Sequence, residues 1–101
     1  MARLDVYPSP GQSARGYVLD VQADLLAALT TRTVVPLLPA DDVRATMRDL
    51  NPVFDIDGER HVMLTQAIAT VPRRALRRRV GSLLSHHDAV LRALDILLTG
   101  V

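Results

Sequence analysis

The chain has 101 residues, 49% hydrophobic and 23% charged, a composition that fits one globular domain over residues 1–101 and excludes wholesale disorder. A formal net charge of +1 is too close to neutral for a dedicated nucleic-acid binder. The absence of cysteine excludes disulfides and thiolate metal sites, and aromatics at 3% leave the core to Val, Leu, Ile and Ala.

The opening MARLDVYPSP lacks the apolar stretch of a secretory signal. No apolar run approaches the roughly 18 residues of a membrane span, so the expected location is the cytoplasm, with no membrane partner. Leu4 and Val6 alternate with Arg3, Asp5 and Tyr7, predicting a strand that Pro8-Ser9-Pro10-Gly11 ends. Tyr17, Leu19 and Val21 alternate with Val18, Asp20 and Gln22, predicting a second strand with a wetter face. Thr33 to Leu38 reads as a third, and its Pro36, unable to donate to a ladder, suggests a sheet edge or a bulge. Asp41-Asp42 belongs to a turn, and Val43 to Leu50 reads as a short helix or a frayed strand.

In PVFDIDGERHVML, Asp57-Gly58 between two alternating runs predicts a hairpin, because a type I′ turn needs positive φ at both central residues. Ile68 to Val71 adds one more short strand. Several short strands with regular turns suggest a small barrel or sandwich. Ser85-His86-His87-Asp88 fits a capping box that opens a helix from about His86 to about Thr99. Val90, Leu91, Leu94, Leu97 and Leu98 recur at helical spacing, and Gly100 stands where a left-handed residue closes a helix. Ala89 and Ile96 put apolar atoms off the main stripe, more than one small barrel can cover, and a partner surface accounts for them.

His86 and His87 invite a catalytic or metal reading, but adjacent helical residues point about 100° apart, and metal-binding pairs use i, i+4 spacing. A two-histidine ribonuclease would have to recruit His61, so these histidines are read as helix-start residues on a partly wet face. The run from Arg73 to Val80 holds five of the 12 arginines, the protein's only basic residue type. It reads either as a dock for phosphates or an acidic partner, or as the solvated side of a turn whose Leu76 and Val80 face inward. No aromatic interleaves the arginines, so base stacking is poorly supported. Phosphate loops, nucleophile elbows and paired acidic motifs are missing, and no cofactor or catalytic residue is expected.

Four stretches in order carry a resemblance: LDVQADLL (19–26), VVPL (34–37), PVFDIDGERHVMLTQAIATVP (52–72), and LLSH followed by a helix ending in Gly-Val. Over essentially the whole chain this resembles the CcdB family, toxins of plasmid and chromosomal toxin–antitoxin pairs. The resemblance implies a mainly β fold with a C-terminal helix, an SH3-like small barrel forming a two-fold homodimer. It implies action by binding, not catalysis. The dimer lodges between the A subunits of DNA gyrase and traps the enzyme on cleaved DNA. An acidic, partly disordered antitoxin releases gyrase, and the toxin meets operator DNA only through the antitoxin complex, which represses the operon.

Carried over residue by residue, the gyrase-facing surface falls on Asp95, Leu98, Thr99, Gly100 and Val101, with Leu25 and Leu26 beside them. The family typically reads Trp-Gly-Ile where this chain has Thr-Gly-Val, so an aromatic anchor is missing. Arg77, Arg78 and Arg79 are the candidates for docking the acidic antitoxin. Two other readings remain open: a MazF-like ribonuclease, since those toxins share the barrel and dimer, and a non-toxic interaction module that kept the fold.

Overall fold

The computed structural model describes residues 1–11 and 15–100. Seven strands precede one helix: β1 (Asp5–Pro8), β2 (Tyr17–Asp20), β3 (Thr31–Pro39), β4 (Val53–Ile56), β5 (Glu59–Met63), β6 (Ala69–Pro72), β7 (Gly81–Ser82) and α1 (His87–Thr99). The strands pair antiparallel in the order β4-β5-β3-β2-β1-β7, with β6 also on β3. The result is the expected mainly β architecture, a nearly closed barrel with one C-terminal helix. No helix among the described residues is long and apolar enough to cross a membrane.

Pro36 lies at neither an edge nor a bulge. It sits in β3, the strand with most partners, opposite Val18 of β2. Its carbonyl accepts from the Leu64 N–H at 2.9 Å, so its backbone faces away from β2. On that far side β6 pairs only with Thr31–Val34 and β5 only with Leu37–Pro39. The missing N–H falls in the gap where one partner gives way to the other, so no ladder bond is lost.

Strand alternation divides the interior in two. Val6, Leu19, Val35, Leu37, Phe54 and Met63 meet Val90, Ala93 and Leu94 of α1 in the main core. The residues between them (Tyr7, Val18 and Val34) form a second, smaller cluster with Leu76. The face expected to be wet is therefore covered, and Asp5, Asp20, Gln22 and Arg32 on it are buried. Leu76 folds inward from the arginine-rich segment to cover that face, whereas Val80, expected inside, is exposed.

Residues 43–50 are neither helix nor strand. Asn51 supplies the alternative: its Oδ1 accepts from Met47 N, its own N–H donates to Met47 O, and its Nδ2 donates to the carbonyl of Met63 and to Gln66 Oε1. A side chain that satisfies backbone groups locally competes with regular structure. The capping box also fails. Leu84–His86 is a 3₁₀ turn, α1 begins at His87 without a side-chain cap, and Ser82 is the residue whose hydroxyl accepts from Leu84 N. At the other end Gly100 has φ 78° and donates to Ile96 O at 3.0 Å, the expected left-handed closure.

Asp57 and Gly58 have φ of 53° and 81° and join β4 to β5, as a type I′ turn requires. Gly16, at φ 88°, faces a tighter constraint, because an added Cβ would lie 2.3 Å from Leu37 O. Gly16→Ala is expected to cost more than about 2 kcal/mol in urea unfolding, since strain and a backbone clash add. Gly58→Ala, with open space around its Cβ, should cost only about 1 kcal/mol, for the left-handed conformation alone.

Candidate functional site

Between β2 and β3 the chain makes an outward turn in which every residue from Ala23 to Thr30 is exposed. Polar contacts brace it from behind. Asp24 Oδ1 accepts from Arg3 N at 2.9 Å, Gln22 Nε2 donates to Leu26 O at 3.1 Å, and Arg73 Nη1 donates to Ala27 O at 3.0 Å. Gln22 also accepts from Thr33 N, which anchors the turn to β3. Braced this way, Asp24–Leu26 forms a 3₁₀ turn with Leu25 92% exposed, and Leu26 and Leu29 are open beside it. Leu29 was absent from the sequence-derived set. Its only signal was apolar character in a segment too short to form an element of its own.

The second feature is the end of α1. Asp95, Leu98, Thr99 and Gly100 are exposed, Leu98 at 72%, while Val90, Ala93 and Leu94 hold the helix to the core. Leu98 therefore lies off the buried stripe on which its spacing placed it. Thr99 Oγ1 donates to Asp95 O at 2.6 Å, so its hydroxyl proton is already used within the helix. Val101 lies outside the described residues. No hydrogen bond among the described residues joins the turn at Asp24–Leu26 to the helix end. Helix α1 packs instead on the 3₁₀ turns Thr65–Ala67 and Leu84–His86.

The arginine run separates into two kinds of residue. Arg74, Arg77 and Arg78 line a groove of about 910 Å³ whose other walls include Pro8, Pro10 and Pro72. Prolines and exposed arginines lining one groove suit an extended acidic segment. Arg79 does not join them. Its Nε donates to Oδ1 of the buried Asp5 at 2.8 Å.

The histidines do not converge on an open site. His61 is buried in β5, its Nδ1 donating to Glu59 O at 2.9 Å and its ring edge-on to Tyr17. The His86 ring lies 5.0 Å from that of Phe54, and His87 Nδ1 stands 3.4 Å from Asp88 Oδ1 on the exposed side of the helix start. No group of three or more His, Asp or Glu among the described residues is placed to hold a metal ion.

Beneath the braced turn lies a buried ion pair the sequence did not disclose. Arg32 Nε and Nη2 both donate to Asp20 Oδ2, at 2.9 and 2.5 Å, and Asp20 Oδ1 accepts from Gln22 N. Burial raises the Asp20 carboxyl above its usual range, and the hydrogen bonds from Arg32 and Gln22 pull against it. Tyr7, on the same face, is raised by burial and then by the Asp5 and Asp20 charges.

Comparison with known proteins agrees with this architecture. A mycobacterial structure described as an endoribonuclease in complex with its cognate antitoxin superposes with a TM-score of 0.80 at 16% identity, covering 97% of this chain and 94% of that one. The Mycobacterium tuberculosis toxin MazF-mt6 gives 0.75 at 21% identity, covering 92% and 94%. A further M. tuberculosis toxin gives 0.70 at 24%, covering 89% and 100%. At these identities the likeness establishes the fold. The family model described as CcdB protein matches residues 3–100, nearly the whole chain, and the protein belongs to the CcdB family.

Proposed function

We propose that this CcdB-family toxin acts as a homodimer that binds the A subunit of DNA gyrase and traps it on cleaved DNA. A cognate acidic antitoxin neutralises it and, in complex with it, represses the operon. The observation that carries the reading is the pair of exposed apolar features, Leu25–Leu26 and Leu98, on a barrel whose core is complete without them. Large apolar side chains left this exposed add little to this chain's own packing, and that supports reading them as a surface kept for a partner. A two-fold dimer would present each feature twice, and Asp95, Thr99, Gly100 and Val101 complete the proposed gyrase-facing set. Because Thr99 stands where the family has Trp, contact with gyrase rests on aliphatic surface, with no aromatic ring at its centre.

The ribonuclease reading is favoured by the fold shared with an endoribonuclease. Against it, the histidines do not converge: His61 is buried, His86 rests against Phe54, and the partly exposed His87 has only the adjacent Asp88 beside it among the described residues. The acidic antitoxin is assigned to the groove of Arg77 and Arg78. Arg79 stands apart from that groove, its Nε bonded to Asp5.

Sedimentation at micromolar concentration should show a species of twice the 11.1 kDa chain mass, and a stable monomer there would remove the two-fold target face. In a gyrase-sensitive bacterium, expression should arrest growth with linearised plasmid accumulating. Leu25→Asp and Leu98→Asp should each abolish both effects while changing stability by no more than about 0.5 kcal/mol, as befits exposed positions. RNA cutting without linearised plasmid would decide for the ribonuclease. Replacing Arg77 and Arg78 with Gln should weaken antitoxin binding and flatten its salt dependence, leaving stability unchanged. Arg79→Gln should instead lower stability by about 1 kcal/mol, because Asp5 loses its partner, with antitoxin affinity retained.

A further inference from the structure

Arg32 is fully buried, yet only part of its guanidinium is used. Nε and Nη2 are spent on Asp20, whereas Nη1 has no hydrogen-bond partner although it is shielded from water. A guanidinium carries five N–H donors, of which Asp20 takes two, and both on Nη1 are left without a partner in the interior. Buried donors left unsatisfied are rare and costly enough to call for an explanation. Arg32 also lines a cavity of about 490 Å³, together with Met1, Ala27, Arg73 and Arg74.

Charge at this cavity is lopsided. Arg32 is neutralised by Asp20, but neither Arg73 nor Arg74 has an acidic partner within salt-bridge distance among the described residues. Arg73 is also held in place, its N–H donating to Thr30 O at 2.8 Å and its Nη1 to Ala27 O at 3.0 Å. Two uncompensated positive charges thus stand at the rim of a cavity whose lining includes an arginine with an idle N–H pair. Guanidinium groups recognise phosphate oxygens through short charge-assisted bonds, and a fixed fork with spare donors is the form suited to it.

We propose that the cavity lined by Arg32, Arg73 and Arg74 is a binding site for a dianionic phosphate group, free or as a terminal monoester. Because Nη1 has almost no exposed surface, the exposed side chains of Arg73 and Arg74 at the rim must part for one phosphate oxygen to accept from it, and their charges match the rest. The site is distinct from both apolar features assigned to gyrase and shares only Arg74 with the groove assigned to the antitoxin. Because Arg73 also braces the Ala23–Thr30 turn, phosphate binding would be coupled to the segment that carries Leu25 and Leu26.

The test is a titration of the full-length protein with inorganic phosphate at constant ionic strength, followed by the NMR signal of the buried Arg32 Nε–H. Parallel arms use a nucleoside 5′-monophosphate, an internal phosphodiester dinucleotide, and chloride. Inorganic phosphate and the monophosphate should each give a saturable shift, and chloride none. Replacing both Arg73 and Arg74, which are exposed, with Gln should weaken binding by roughly ten-fold or more, the scale of losing a hydrogen bond to a charged group. A non-saturable response, or an equal one to chloride, would overturn the site and leave Nη1 to a trapped water. Tighter binding of the dinucleotide than of phosphate would overturn the dianion assignment. Unchanged phosphate affinity in the Gln variant would overturn the role given to Arg73 and Arg74.

Discussion

Everything in this fold hangs on the hydrogen-bonding demands of β3. A strand of nine residues in the middle of a sheet must satisfy backbone groups on both sides, and β3 does so with three partners. It holds β2 along one edge and divides the other between β6 and β5. That division curls the sheet toward a barrel, and it makes a proline tolerable in the centre because Pro36 falls in the gap between partners. The small aliphatic core follows from the same geometry. Val35 and Leu37 point toward α1, while Arg32 and Val34 point to the opposite face.

That opposite face explains the distribution of charge. Asp5, Asp20 and Arg32 are buried there among Tyr7, Val18, Val34 and Leu76, and exposed Arg79 reaches back to pair with Asp5. Buried ion pairs contribute little net stability, because desolvation of two charges offsets their attraction. Their retention on a face that could have been apolar fits a role in register or recognition better than one in stability. The raised Asp20 carboxyl and the idle Arg32 donors are two signs of the same incomplete compensation. Covering this face also gives the arginine-rich segment a structural task. Leu76 and Arg79 fasten it, and Arg77 and Arg78 are left facing the groove.

The proposed partner surfaces are built by the opposite device, apolar side chains turned outward, on polar supports in the turn and on a buried apolar stripe in the helix. The Ala23–Thr30 turn is tied through Gln22, Asp24 and Arg73, none of which uses the leucines. Helix α1 is tied through Val90, Ala93 and Leu94, which leaves Leu98 free. Such surfaces can change with little effect on folding. A Thr in place of the family Trp is therefore a change that the barrel itself does not register.

Local chemistry was enough to read several elements from the sequence alone. The alternation in β1, β2 and β3, the left-handed demand at Asp57-Gly58, the 3.6-residue period of α1 and the closing Gly100 each depend on residues a few positions apart. Family motifs spread over the chain were legible for the same reason, since they are patterns of identity and order. What depended on distant residues was not. Whether the face of Asp20 and Gln22 is wet was decided by Leu76, more than fifty positions later, folding across it. The place of Pro36 was decided by which strands pair beyond it, and the fate of residues 43–50 by an Asn51 side chain that reaches Met63 and Gln66. Arg79 left the arginine cluster because Asp5 lies under it, 74 positions away. Periodicity reports which residues share a face. Only the tertiary structure decides what covers that face, because burial depends on the contacts of other segments.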